Sequence, residues 1–131
     1  MTRNEHAPPK KLPRLKSAPK IRNLYWCEFP NDAQLPEFWK IRPVIILSFK
    51  QNLYGAVTII PCSSQPQSDN KWAFQLKTTI DEQKSWAICD KLTTVAVSRL
   101  TPDKRGIKRL PEDEFNKILR ITLDWLPKLP V

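Results

Sequence analysis

From Asn23 onward, short apolar runs rich in β-branched and aromatic residues alternate with clusters of Pro, Asn, Asp and Ser. That pattern predicts an all-β barrel or sandwich. The runs place strands at Leu24–Phe29, Val44–Phe49, Ala56–Pro61, Lys71–Lys77, Ser85–Cys89 and Leu92–Val97. A long loop, Pro30–Ile41, separates the first two and holds Pro36, Glu37, Phe38 and Trp39. A loop of that length in a small barrel either carries function or covers the core. The segment LPEDEFNKILRITLDWLP changes period and reads as a C-terminal helix, with Pro111 near its first turn and Glu112, Asp113 and Glu114 favourable to its dipole. Phe115, Ile118, Leu119, Thr122 and Trp125 or Leu126 share one face, which is expected to pack on the barrel rather than await a partner.

Ahead of the patterned region, residues 1–21 are rich in proline and basic, and are expected to form a disordered tail before a single domain over residues 22–131. The first twenty residues hold six Lys or Arg against Glu5, and so carry five of the nine net positive charges of the chain. Such a tail is either a solvated extension, or a misassigned start, or an arm that gathers RNA or an acidic partner. Its prolines argue against the amphipathic helix of a transit peptide. The overall charge of +9 on 131 residues attracts polyanions, which makes nucleic acid the first partner to consider.

Cys27, Cys62 and Cys89 are an odd number without CxxC spacing, which fits a reducing cytoplasm. His6 is the only histidine, so neither a Cys/His metal site nor a pair of catalytic imidazoles can be assembled, and no metal or other cofactor is expected. Only Gly55 and Gly106 are glycine, which excludes Gly-rich phosphate loops. No apolar run approaches the ~20 residues of a membrane helix, so no membrane partner is expected.

Three blocks in order give the chain a resemblance to the MazF/PemK family of toxins, over roughly Asn23 to Leu126. LYWCEF at Leu24–Phe29 resembles the family's opening strand, and IRPVIIL at Ile41–Leu47 its Arg-Pro-hydrophobic strand. VTIIPCSSQ at Val57–Gln65 is similar to a strand ending in Pro, any residue, then Thr or Ser. WAICDKLTTVAVSRL at Trp86–Leu100 resembles the family's hydrophobic-Asp-Gln segment with its later arginine. The resemblance implies a mainly β, partly open SH3-like barrel with a C-terminal helix. It also implies a homodimer, single-stranded RNA or mRNA as substrate of a metal-independent endoribonuclease, and a cognate antitoxin whose acidic tail lies over the RNA groove.

Carried over by position, the resemblance makes Arg42 the catalytic arginine, whose planar fork suits a phosphorane. Without it, Arg42 reads as a surface arginine beside a proline. Ser63 stands where the family usually has a catalytic threonine, and otherwise Ser63 and Ser64 read as turn residues. The general base is either Glu37 or Asp90, each matching an acid of some members. Ile88 stands where some members carry an arginine, which argues against a mechanism needing a second one, and Thr93 replaces the family's frequent arginine of the third block, which removes one expected RNA contact. For RNA binding the candidates are Trp39 as a stacking platform beside Phe38, with Lys40, Ser64, Lys91 and Arg99. Two rivals share the barrel: a CcdB-like toxin that poisons gyrase by protein contact, and a non-catalytic RNA-binding module.

Overall fold

The computed structural model describes residues 6–49 and 52–130. Eight strands run as β1 (Asn23–Glu28), β2 (Ile41–Ile46), β3 (Ala56–Ser63), β4 (Ala73–Gln75), β5 (Trp86–Ile88), β6 (Thr93–Ala96), β7 (Leu100–Thr101) and β8 (Lys108–Arg109), followed by one helix, α1 (Glu112–Trp125). Their order is β4-β5-β3-β2-β1-β7, with β6 also on β3 and β8 also on β1, and every pairing is antiparallel. The sheet curls without closing. This is the mainly β, partly open barrel with a terminal helix that the sequence predicts.

Alternation along the strands splits the apolar residues into two cores. Tyr25, Cys27, Val44, Ile46, Val57 and Ile59 fill the barrel, whereas Leu24, Ile45, Ile60 and Cys62 point to the other side, under α1. Both faces of β2 and β3 are therefore buried. That explains why IRPVIIL and VTIIPC are nearly continuous apolar runs instead of alternating ones. The helix supplies Phe115 and Ile118 to the second core, on the face expected, and Trp125 meets Trp72 edge-on with ring centroids 5.2 Å apart.

Three features depart from the sequence reading. β2 begins at Ile41 rather than Val44, since Pro43 does not break it. The described part of the basic extension holds no helix or strand, yet its second half is packed: Leu15 joins the barrel core, Ala18 is buried, and Arg14 reaches Glu28 at 3.2 Å. Leu15 and the exposed Leu12 are the only leucines among these cations, too few to show a period, so the burial of one left no pattern to read. Residues 1–5 of that extension lie outside the described residues.

The third is Glu114. Beyond the dipole role expected of it in the first turn, it is only 1% exposed and its carboxylate accepts the backbone N–H of Lys77 at 2.6 Å. One buried acid thereby ties α1 to the chain leaving β4. The helix entrance is tied as well, because Arg22 donates from Nε and Nη2 to the carbonyl of Leu110 and accepts the Leu110 N–H on its own carbonyl. Removing an acceptor from a buried donor costs about 1–3 kcal/mol. We expect Glu114→Ala to lose stability in that range by urea unfolding, while Glu114→Gln, which keeps an acceptor, loses less. The exposed Lys77–Asp113 pair, at 3.8 Å, is expected to contribute little, so Asp113→Ala serves as the neutral control.

Candidate active site

The site is created by the way β2 and β3 part. The Phe29 N–H bonds the Lys40 carbonyl at 2.9 Å, so even-numbered residues of β2 turn their backbone groups toward β1 and odd-numbered ones toward β3. Pro43 is odd-numbered and has no N–H to offer. The β2–β3 ladder stops next to it, at Val44↔Pro61. On its other edge β3 changes partner, from β6 (through Ile59↔Thr93) to β5 (from Cys62↔Ala87), and Pro61 stands at that change. Continuing the register across the gap sets Arg42 opposite Ser63, both on the barrel-core side and beyond its last apolar layer.

Arg42 and Ser63 line one cavity of about 420 Å³, together with Glu37 and Trp39 from the loop and Lys91 from the 3-10 turn Cys89–Lys91. The Arg42 Nε donates to the Trp39 carbonyl at 3.1 Å, which leaves both Nη groups for an anion. The turn that allows this bond passes through Lys40 at a φ of 62°, and the Lys40 carbonyl is held by β1. Trp39 is 43% exposed, and its ring centroid is 4.2 Å from the Lys40 ammonium and 5.8 Å from the Arg42 guanidinium. It offers a flat apolar surface flanked by positive charge. The Ser63 hydroxyl accepts the N–H of Gln65 at 3.1 Å, so its own proton stays available to a ligand.

Other predicted residues fall elsewhere. Ser64, the residue after β3, lines a smaller cavity of about 120 Å³ with Pro43 and Cys62 and not the one that holds Ser63, Glu37 and Trp39; Arg42 borders both. Asp90 lines none of these cavities, and its Oδ1 is enclosed with no hydrogen-bond partner among the described residues. Glu37 is the acid at the site, with one oxygen accepting the Gln34 N–H at 2.8 Å. Arg99 donates to the Glu28 carbonyl at 3.1 Å, away from the cavity, where it braces the free end of β1. The sequence reading missed Gln65, Gln67 and Asn70, amides of the loop after β3 that complete the cavity wall. Their only signal was the polar run directly after Ser63. Among the described residues no three His, Cys, Asp or Glu side chains converge as metal ligands, and no helix is long and apolar enough to cross a membrane.

Compared with known proteins, residues 20–124 match a family model described as "PemK-like, MazF-like toxin of type II toxin-antitoxin system". No curated protein matches in sequence. Among solved structures, the chain is similar to MazF from Deinococcus radiodurans, with a TM-score of 0.64 at 16% identity over 82% of this chain and 94% of that one. It is similar to the Mycobacterium tuberculosis toxin MazF-mt6, with a TM-score of 0.59 at 18% identity over 79% and 95% of the two chains. A mycobacterial endoribonuclease in complex with its cognate antitoxin gives a TM-score of 0.59 at 18% identity, over 86% of this chain and all of that one (100%).

The thiols take no part in the cavity. Cys27, Cys62 and Cys89 are all fully buried, and loss of solvent raises each, Cys27 to about 12 and Cys89 to about 11. Arg99 near Cys27 and the Thr122 hydroxyl near Cys89 offset only part of that rise. A buried thiol with so high a pKa is a core residue and not a nucleophile. We expect all three to resist a thiol-specific disulfide reagent at pH 8 in the native protein and to react together in denaturant. Rapid native labelling of any one would contradict this burial.

Proposed function

The chain belongs to the family of PemK-like, MazF-like toxins of type II toxin–antitoxin systems, and from that premise we propose that it cleaves single-stranded RNA without a metal ion. The observation that carries this reading is the meeting of Arg42 and Ser63 across the parted strands, in a cavity that also holds Glu37 and Trp39. Cleavage through the 2′-OH needs a base for that proton, a cation for the phosphorane, and a proton for the departing 5′-oxygen. The Arg42 fork, oriented by the Trp39 carbonyl, is assigned the equatorial phosphate oxygens. The Ser63 hydroxyl donates to the same phosphate or passes a proton toward the leaving oxygen. Glu37 takes the 2′-OH proton through the carboxylate oxygen that Gln34 leaves unoccupied. Trp39 stacks an unpaired base, with Lys40 and Lys91 on the phosphates.

A cognate antitoxin follows from the system to which the family belongs. Its acidic segment would compete with RNA for the same cations, and a homodimer would extend the groove across two subunits. The CcdB-like and RNA-coating alternatives keep the charge but have no use for an arginine and a serine brought face to face.

RNA incubated with the protein in EDTA is expected to yield a 2′,3′-cyclic phosphate and a 5′-OH. A strict Mg²⁺ requirement or a 5′-phosphate product would sink the mechanism. Arg42→Ala should slow cleavage on the order of 10²- to 10³-fold, the usual loss for one preorganised donor, with a smaller effect on RNA affinity. Ser63→Ala should slow it too, Ser63→Thr should preserve it, and Ser64→Ala should leave it near the parental rate. The two acids separate cleanly: Glu37→Gln should lower kcat, whereas Asp90→Asn should act on stability and leave kcat close to the parent. The opposite ranking would move the general base to Asp90.

A further inference from the structure

Beside the cavity of Arg42 and Ser63 lies a larger one, about 630 Å³, of which the chemistry above uses only the shared rim. The two share Pro36, Glu37, Phe38 and Lys91 as a common wall. Its apolar side is built from Phe29 and Phe38, whose ring centroids stand 5.8 Å apart, and its volume is within the range of about 300–1,000 Å³ typical of small-ligand sites. Its polar side carries two acids, Asp32 and Glu37, beside Gln34, Thr93 and the Lys91 ammonium of the shared wall. Asp32 lines the cavity with no hydrogen bond or ion pair among the described residues, while the second acid, Glu37, has one oxygen committed to Gln34.

Resting on the RNA-cleaving reading of the neighbouring cavity, we propose that this second cavity receives the base of a nucleotide next to the scissile phosphate, and that Asp32 selects a base bearing an exocyclic amino group. A phosphate held by Arg42, with Lys91 at the shared wall, leaves the adjoining base within reach of Phe38 and Asp32. Unpaired RNA bases are read by stacking and by their Watson–Crick edges. A carboxylate only accepts hydrogen bonds, so it satisfies the amino edges of cytosine, adenine or guanine. Uracil's one donor on that edge, N3–H, lies between two carbonyl oxygens, so a carboxylate that accepts it sets its second oxygen against one of them, whereas the amino group of cytosine stands at the end of its edge and can be met without that clash. The basis for choice is thus repulsion of uracil as much as attraction of its competitors.

The test compares oligoribonucleotides that differ only by cytosine or uracil at the positions flanking the cut. At one of them the parent is expected to favour cytosine about 10-fold or more in kcat/KM, the usual discrimination of a well-made base contact. Asp32→Asn, whose amide both donates and accepts, should collapse that ratio toward one while cutting the uracil substrate at least as fast as the parent does. Asp69→Asn, on an exposed residue lining neither cavity, should keep the parental ratio. A parent indifferent to the two pyrimidines, or an Asp32→Asn protein with the parental ratio, overturns the proposal and leaves RNA cleavage standing. If the parent cuts no RNA, the catalytic reading fails by itself. The base site is then judged by binding of the same pair, and equal affinities would overturn it.

Discussion

A proline has no N–H, and this chain places one on each of two neighbouring central strands just where their ladder ends. Pro43 withholds a donor from β3, and Pro61 withholds one from the outer edge of β3 as that strand exchanges β6 for β5. Both strands are buried on both faces up to that level, so the opening is framed by rigid backbone rather than by loops. The residues beyond the prolines stand on two fixed walls. The loop before β2 then bends back over the gap, held by the Phe29–Lys40 bond, and brings Trp39 and Glu37 to its rim.

How much of this the sequence revealed depends on whether burial leaves a period. β1 and β3 were found within one or two residues because their apolar runs coincide with the strands. Lys71–Lys77 shrank to Ala73–Gln75 at the sheet edge, where only one neighbour supplies hydrogen bonds. The two-residue strands β7 and β8 are too short for any alternation to show. β2 was begun late because a proline reads as a stop, although its missing donor falls on the edge that β1 does not use. Glu114 was read only as favourable to the helix dipole, since nothing local announces that a distant Lys77 amide will need an acceptor.

For the candidate site, the resemblance singled out Arg42 and Ser63 as residues, and the strand register supplies the reason they meet. Lys91, Glu37 and Trp39 join them; Ser64, Asp90 and Arg99 stand apart for reasons of strand parity, enclosure and a bond to Glu28 respectively. Asp32 had no signal at all, because an unpaired acid in a loop resembles any solvated one. The thiols show the converse: three cysteines suggest reactivity in a list of residues and lose it once all are sealed in the two cores.

The parity of β3 sets limits on how such a chain can change by descent. Swapping serine for threonine at position 63 alters one methyl group and keeps the hydroxyl on the same side. Deleting or inserting one residue between Ile60 and Ser63 is a different event, since it would turn every later side chain of the strand to the opposite face. Ser64 would then look toward Arg42, Ser63 would be handed to the small cavity, and Cys62 would leave the core beneath α1. Lineages carrying this barrel can therefore drift widely in the letters of that strand while its length between proline and hydroxyl stays locked. The neighbouring loop, Pro30 to Lys40, has no strand parity to keep, but Glu37 and the Trp39 carbonyl that holds Arg42 stand in its second half, so only its first half, Pro30 to Ala33, can change length without moving them.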